Sequence, residues 1–337
     1  MLTAMAEPGD AASDPPRALI EFVKRVGGAG ARRELDTAAV QVLEAFAAAG
    51  VDVLLLKGPV VERLLYTPAE SRGYSDVDLM VAPGGLPAAR RELGRLGYVN
   101  ASANLGIVDV GGVLHAETWA GGGSRVKAGL MIDLHWRLAG TRADPQLVWA
   151  ALTAERASID LNGRRVAVLA LPGLALHLAI HAAQHGGKQP RTLEDLRRGL
   201  ERWPLDVWRH ALRIAREAQG VEFFAAGLRL VPAGAELARE LELPSTDELL
   251  WTISHRDTRP RGTFHLQALA GAASGSARMA VLRRALLPTR RWIVRRYPWA
   301  SAGPLPLVAA YAAHIARLPA LAARAWWFRR RARRAGR

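Results

Sequence analysis

The sequence predicts an α+β protein, with a mixed β-sheet in its first half and helices in its second. Three observations carry this. Apolar strand-like runs, VDVLLLK (51–57), DVDLMV (76–81) and GLMIDLHWRL (129–138), alternate with stretches whose apolar residues recur at helical spacing. Two further runs, ASIDL and RRVAVLA, flank Asn162-Gly163, a pair that favours the tight turn of a hairpin. From Pro172 onward the period is helical alone.

In chain order, residues 1–16 are Pro-rich and acidic and read as a flexible leader. They show no basic segment followed by an apolar run, so no signal peptide is expected. LDTAAVQVLEAFAAA (35–49) has the apolar period of a helix that stops at Gly50. The strand 51–57 follows, then PVVERLLY (59–66) as a short helix with Pro59 at its first position, where the missing N–H does no harm. After the strand 76–81, LPAARRELGRLG is a helix ended by Gly97. VLHAETW (113–119) and 129–138 are extended, DPQLVWAAL is helical, and the hairpin closes this half. PGLALHLAIHAAQHG and RTLEDLRRGLERW open the helical half. The expected divisions are a leader (1–16), an α/β domain (17–170), a helical domain (171–257) and a basic helical tail (258–337).

Half of the 337 residues are apolar, which fits a globular chain. The absence of cysteine excludes disulfides, thiolate zinc sites and cysteine nucleophiles, and suits a cytoplasmic setting. No uninterrupted apolar run of about eighteen residues occurs, so no transmembrane helix is expected. The net charge is +15, yet 17 of the 46 Lys and Arg follow Asp257, the last acidic residue. The chain before that point is close to neutral, so the high pI says nothing about nucleic acid for the protein as a whole.

Asp76 and Asp78 stand two apart in an apolar strand and so share one face. Like charges placed this way repel unless a cation lies between them. Asp133, between Ile132 and Leu134, is a third carboxylate in a strand that reads as buried, where an unpaired charge costs several kcal/mol. Three such carboxylates suit a divalent cation, and a solvated strand end or a salt-bridged pair is the simpler alternative for Asp76 and Asp78. Lys57-Gly58, ahead of the helix at Pro59, offers either an anion site or a turn that merely needs glycine. Arg72 would serve as a phosphate ligand or as a partner for the aspartates.

These pieces together, an apolar strand ending in Lys-Gly, a short helix with a Tyr, and Arg-x-x-x-Asp-x-Asp-Leu-x-Val, resemble the uncharacterised nucleotidyltransferase family of the polymerase-β-like superfamily. Asp-Leu-His-Trp (133–136) is similar to that family's later acidic strand, and LHLAIHAAQHGG…RTLEDL to its His-rich helix and following Asp-Leu helix. The resemblance covers roughly residues 35–215. It implies a nucleotidyltransferase-like fold in which Asp76, Asp78 and Asp133 hold two Mg²⁺ ions, or Mn²⁺, for transfer of NMP from an NTP such as ATP. Lys57, Gly58 and Arg72 would then lie on the nucleotide side. The wider superfamily has Gly-Ser or Gly-Gly-Ser where this chain has Lys-Gly, and a shorter gap to Asp-x-Asp. The alternative is a nucleotide-binding protein without catalysis, or a membrane-surface partner of a biosynthetic complex.

His177, His181 and His185 recur every four residues and share a helix face. They pack between domains, line an acceptor or nucleotide pocket as general base, or bind metal. His181-Ala-Ala-Gln-His185 lacks the Glu of a zinc protease helix. His135, two after Asp133, would orient that ligand or touch substrate. Asp195 is expected to cap or pair within the helical half, with one of those histidines as a candidate partner, rather than bind metal. The tail, with its Arg pairs, Trp326 and Trp327, packs on the protein with a solvated Arg face, lies on anionic membrane, or, last, binds nucleic acid. Pro319 is expected to kink or break any helix there.

Overall fold

A computed structural model describes residues 29–70, 72–104, 115–121, 130–255, 269 and 275–335. The leader and the Gly-rich stretch between the two central extended runs lie outside the described residues.

Helix α1 (Ala29–Ala48) begins six residues before the expected start and ends as expected, with Gly50 at φ 68° accepting the left-handed turn that follows. Strand β1 (Val53–Leu55) leads through Lys57 to Gly58 and to α2 (Pro59–Leu65), which has proline in its first turn. Strand β2 (Val77–Val81) is buried along its whole length. Helix α3 (Leu86–Leu96) stops at Gly97, left-handed at φ 98°. A three-residue strand that the sequence did not announce, β3 (Tyr98–Asn100), follows directly. Then come β4 (Ala116–Gly121), β5 (Met131–His135), α4 (Pro145–Thr153) capped by Asp144 accepting from the Gln146 N–H at 2.8 Å, and the hairpin β6 (Arg156–Leu161) and β7 (Arg164–Leu169). Asn162 and Gly163 both have positive φ, as the two-residue turn requires.

The seven strands form one mixed sheet in the order β3-β4-β5-β2-β1-β7-β6. Neighbours β2 and β5 run parallel, as do β1 and β7; the other pairs are antiparallel. The parallel pairs need long crossovers, and those crossovers carry the helices and the antiparallel excursion β3–β4.

Helix α5 (Leu171–His185) is buried from Gly173 through Ala183. A helix apolar on every side belongs in the middle of a core. Around it are α6 (Pro190–Arg202), α7 (Leu205–Glu217) and α8 (Val221–Leu228), with α9 (Pro232–Glu240) and α10 (Asp247–Ser254) further out. One apolar core runs without a break from Leu54 and Leu79 in the sheet to Leu178, Trp208 and Phe224 in the helices.

Helices α5 and α8 approach backbone to backbone. A Cβ added at Gly227 would lie 1.8 Å from the Ala179 carbonyl oxygen. The neighbour is backbone, so it cannot step aside. Gly227→Ala is therefore expected to lower stability by about 3 kcal/mol in urea unfolding. Gly84→Ala, at an open position with an ordinary φ, should leave the curve almost unmoved.

The C-terminal region holds α11 (Gly275–Leu286), α12 (Arg290–Arg296) and the long α13 (Pro304–Ala335). One expectation is corrected here, that Pro319 breaks a helix. Helix α13 continues through Pro319, because proline removes one backbone hydrogen bond and the turns on either side stay helical. By length and composition, 304–334 is also apolar enough to cross a membrane. It holds no uninterrupted apolar run of about eighteen residues, because Arg317 and Arg324 divide it. Such a helix is weak evidence of membrane affinity on its own.

Candidate active site

The parallel pairing of β2 with β5 sets the site. Its register places Asp78 opposite Asp133 and Met80 opposite His135. Because side chains alternate along a strand, Asp133 and His135 share a face, and that face meets Asp78. On the other side of β5, the antiparallel register with β4 sets Thr118 opposite Asp133, and its hydroxyl donates to Asp133 Oδ1 at 2.7 Å. Sequence reading did not single out Thr118. Its only signal is a hydroxyl on the inward face of a strand, and the partner depends on register.

One potential ligand atom each from Asp78, Asp133 and His135 lie within 4.8 Å of one another. Lys57 reaches in from the end of β1, its Nζ 3.0 Å from Asp78 Oδ1 and 2.8 Å from His181 Nε2 on α5. His135 Nε2 lies 3.2 Å from the same Asp78 oxygen. An ammonium can only donate, so His181 Nε2 is the acceptor and carries no proton. His185 Nε2 lies 3.2 Å from that nitrogen. His115 joins from the start of β4, its Nε2 3.0 Å from Gln184 Nε2 and its ring 5.7 Å from that of His135.

Burial and charge divide the carboxyls. Burial works to raise the Asp78 carboxyl, but Lys57 and His135 overcome it and hold it far below the usual carboxylate range. Burial, and then the charge of Asp78, push Asp133 up. The same two causes raise Asp76 to about 7 against the pull of Lys57. Burial lowers His181 well below its ordinary value, and Lys57 adds to the effect. Burial, then Lys57, lower His177 to about 3. Both are therefore neutral imidazoles at physiological pH.

The predicted residues separate into three groups. Asp78, Asp133, His135, Lys57, His181 and His185 come together. Asp76 sits just ahead of β2, close enough to feel Asp78 and Asp133 but outside the group of mutually close ligand atoms. Arg72 faces elsewhere: its Nε lies 2.8 and 3.0 Å from the two Asp195 oxygens and its Nη2 lies 2.6 Å from Oδ2. Asp195 on α6 also accepts from the Tyr66 hydroxyl at 2.7 Å, so it pairs outside the helical half, with Tyr66 and with the loop before β2. Gly58, at φ 67°, has the Tyr74 side chain 3.4 Å from where a Cβ would stand. Glycine is required there by backbone conformation. His177 lies one turn below His181, and neither ring nitrogen has a hydrogen-bond partner among the described residues.

A cation fits this donor set. Asp78 Oδ2 is buried with no hydrogen-bond partner, and so is His135 Nδ1. A buried carboxylate oxygen left open in this way is costly, and a bound cation would satisfy it.

The raised Asp76 sets a pH dependence. Its folded value lies above that of the free carboxyl, so the folded protein holds the proton more tightly. That contribution to stability is complete below about pH 4 and is lost as pH rises through about 7. In chelator, Asp76→Asn should melt higher than wild type at about pH 8, and the gap should close toward about pH 4. An unchanged gap across that range would refute the assignment.

The family model described as "Uncharacterised nucleotidyltransferase" matches residues 10–233. Among solved structures, an antigenic nucleotidyltransferase-like protein from Paracoccidioides brasiliensis is similar at 13% identity and a TM-score of 0.33, covering 57% of this chain and 91% of that one. No curated protein matches.

Proposed function

The chain belongs to the uncharacterised nucleotidyltransferase family, and from that premise we propose that it transfers a nucleoside monophosphate from an NTP to an acceptor hydroxyl or phosphate. The acceptor oxygen forms a bond to the α-phosphorus as the bond from that phosphorus to the β-phosphate bridging oxygen breaks, and pyrophosphate leaves in line. The observation that supports this most is the register of Asp78 on Asp133, with His135 alongside.

Asp78 and Asp133 would hold the divalent cation, with Asp76 completing the site once it loses its proton. The oxygen-rich set suits Mg²⁺, two ions in the reading by resemblance, and the imidazole of His135 suits Mn²⁺ as well. When bound, such a cation neutralises phosphate charge and lowers the pKa of the attacking hydroxyl.

The chain's own groups do the rest. Thr118 fixes the rotamer of Asp133, and His135 does the same for Asp78. Lys57, which donates to Asp78 and His181, is the charge that would turn to a phosphate oxygen. Arg72 would act at a distance, by tying the segment before Asp76 to α6, and would leave phosphate contact to Lys57 and the Gly58 turn. The neutral His181 and His185 would line the acceptor side. We also place this work on the cytoplasmic side, where NTP is plentiful, against the inner face of a membrane.

The test is to incubate the full chain with each α-phosphate-labelled NTP and Mg²⁺, with and without cell extract. Label on an acceptor, together with released pyrophosphate, is expected. No transfer by wild type, or equal transfer by Asp133→Asn, would overturn the reading. One observation favours a second reading, nucleotide binding without catalysis: the Lys57 ammonium already neutralises Asp78. That reading predicts nucleotide binding that EDTA leaves unchanged and no turnover of any NTP.

A further inference from the structure

We propose that the outer face of α13 is a docking surface for an anionic lipid bilayer, with the helix lying along the membrane and its Arg-rich end on phosphate headgroups. This rests on the membrane part of the reading above and on no residue of the acidic pocket.

The inner face of α13 is already occupied. Ala310, His314, Ala325, Phe328 and Ala332 are buried. His314 Nε2 lies 2.8 Å from the Ala285 carbonyl oxygen, and the Tyr311 hydroxyl donates to the Pro288 carbonyl at 2.9 Å. The Phe328 ring lies 4.9 Å from that of Trp251 on α10. The opposite face is apolar and open. Leu305, Ala312, Pro319 and Trp326 recur every seven residues, with Val308 and Ile315 between them, so all six share one stripe. Leu305 is 83% exposed, Val308 67% and Trp326 58%. Arg317 and Arg324, also seven apart, lie by their spacing on another side of the helix, nearer its buried face. Arg329, Arg330, Arg331, Arg333 and Arg334 close the helix, with Arg331 stacked on Trp327 at 3.9 Å.

Charge complementarity selects the occupant. After Asp257 the chain has 17 arginines and no acidic residue. A second copy would bring an equally basic, unopposed surface against this one. A nucleic acid would match the charge but would leave the aliphatic stripe uncovered. An anionic bilayer matches both, with acyl chains for the stripe and headgroups for the arginines. A helix crossing the bilayer would have to leave its contacts with α10, α11 and α12 and carry Arg317 and Arg324 through hydrocarbon.

The full chain should co-sediment with phosphatidylcholine vesicles containing phosphatidylglycerol, and only weakly with phosphatidylcholine alone. High salt should release it. The triple variant Leu305→Asp, Ile315→Asp, Trp326→Asp should bind at least about tenfold more weakly, since each change removes buried apolar area. All three positions are exposed, and a second variant, Arg329→Gln, Arg330→Gln, Arg331→Gln, should weaken binding while keeping the stripe. Several results would overturn the proposal. These are equal binding to neutral vesicles, resistance to salt extraction, wild-type binding by both variants, or a salt-sensitive RNA complex or stripe-dependent dimer in place of vesicle binding. Loss of vesicle binding would leave nucleotidyl transfer untouched, and an inactive enzyme that still binds vesicles would leave this surface intact.

Discussion

Asp78→Asn is expected to lose nucleotidyl transfer by about a thousandfold, which corresponds to about 4 kcal/mol of transition-state stabilisation. It should also lower the stability of the metal-free protein by about 3 kcal/mol. The two losses have different origins. Asp78 lies at the centre of the pocket, opposite Asp133 and within hydrogen-bonding distance of both Lys57 and His135. The amide removes the charge a cation needs, hence the loss of transfer. It also leaves the Lys57 ammonium in a buried site without its counter-charge, hence the loss of stability. Lys57→Met on top of Asp78→Asn separates them. The double variant should regain most of the stability in urea unfolding and none of the transfer of labelled NMP. If Asp78→Asn keeps wild-type transfer while remaining folded, the carboxylate is not part of the chemistry.

The second large effect lies outside the pocket. Asp195→Ala should destabilise the protein by about 3–5 kcal/mol, because it strands a buried guanidinium. The Arg72 and Asp195 side chains are only 6% and 2% exposed. Removing the carboxylate takes all three Arg72 contacts and the acceptor of the Tyr66 hydroxyl. Replacing the pair together, Arg72→Met with Asp195→Leu, should recover much of that loss, since an apolar pair needs no compensation. Glu222→Ala, which breaks an exposed ion pair with Arg142, should change the unfolding midpoint little. A small effect of Asp195→Ala would mean that water already reaches Arg72.

Much of the pocket was legible in the sequence because its residues break strong patterns. Asp78 and Asp133 interrupt apolar strands, and a buried strand does not tolerate a charge without a reason. The Asn162-Gly163 turn and the helix stops at Gly50 and Gly97 were equally plain, since each demands a backbone conformation that glycine accepts. What stayed hidden depends on how elements dock. Thr118 belongs to the site through the β4–β5 register alone, which no local pattern fixes. Arg72 had two possible partners, and the packing of α6 chose a third. Asp76 was expected beside Asp78, and it lies just ahead of the regular strand, close enough to feel the charges of Asp78 and Asp133. Strand β3 has three residues, too few for any period to emerge.

The order of the strands carries a consequence for how the chain folds. Asp78 meets Lys57 through β1 and β2, which are close in sequence and pair antiparallel. Asp133 arrives on β5, about fifty residues later, and closing that longer loop is slower. A chain that pairs its near neighbours first gives Asp78 its counter-charge before the second carboxylate comes into range. Pulse-labelled hydrogen exchange should then find β1–β2 amides protected ahead of those of β5. Simultaneous protection would mean that the two carboxylates meet unshielded. On this route Lys57 is a folding chaperone for the acidic pocket, built into the chain, that neutralises the first charge before the last strand docks and keeps it neutralised afterwards.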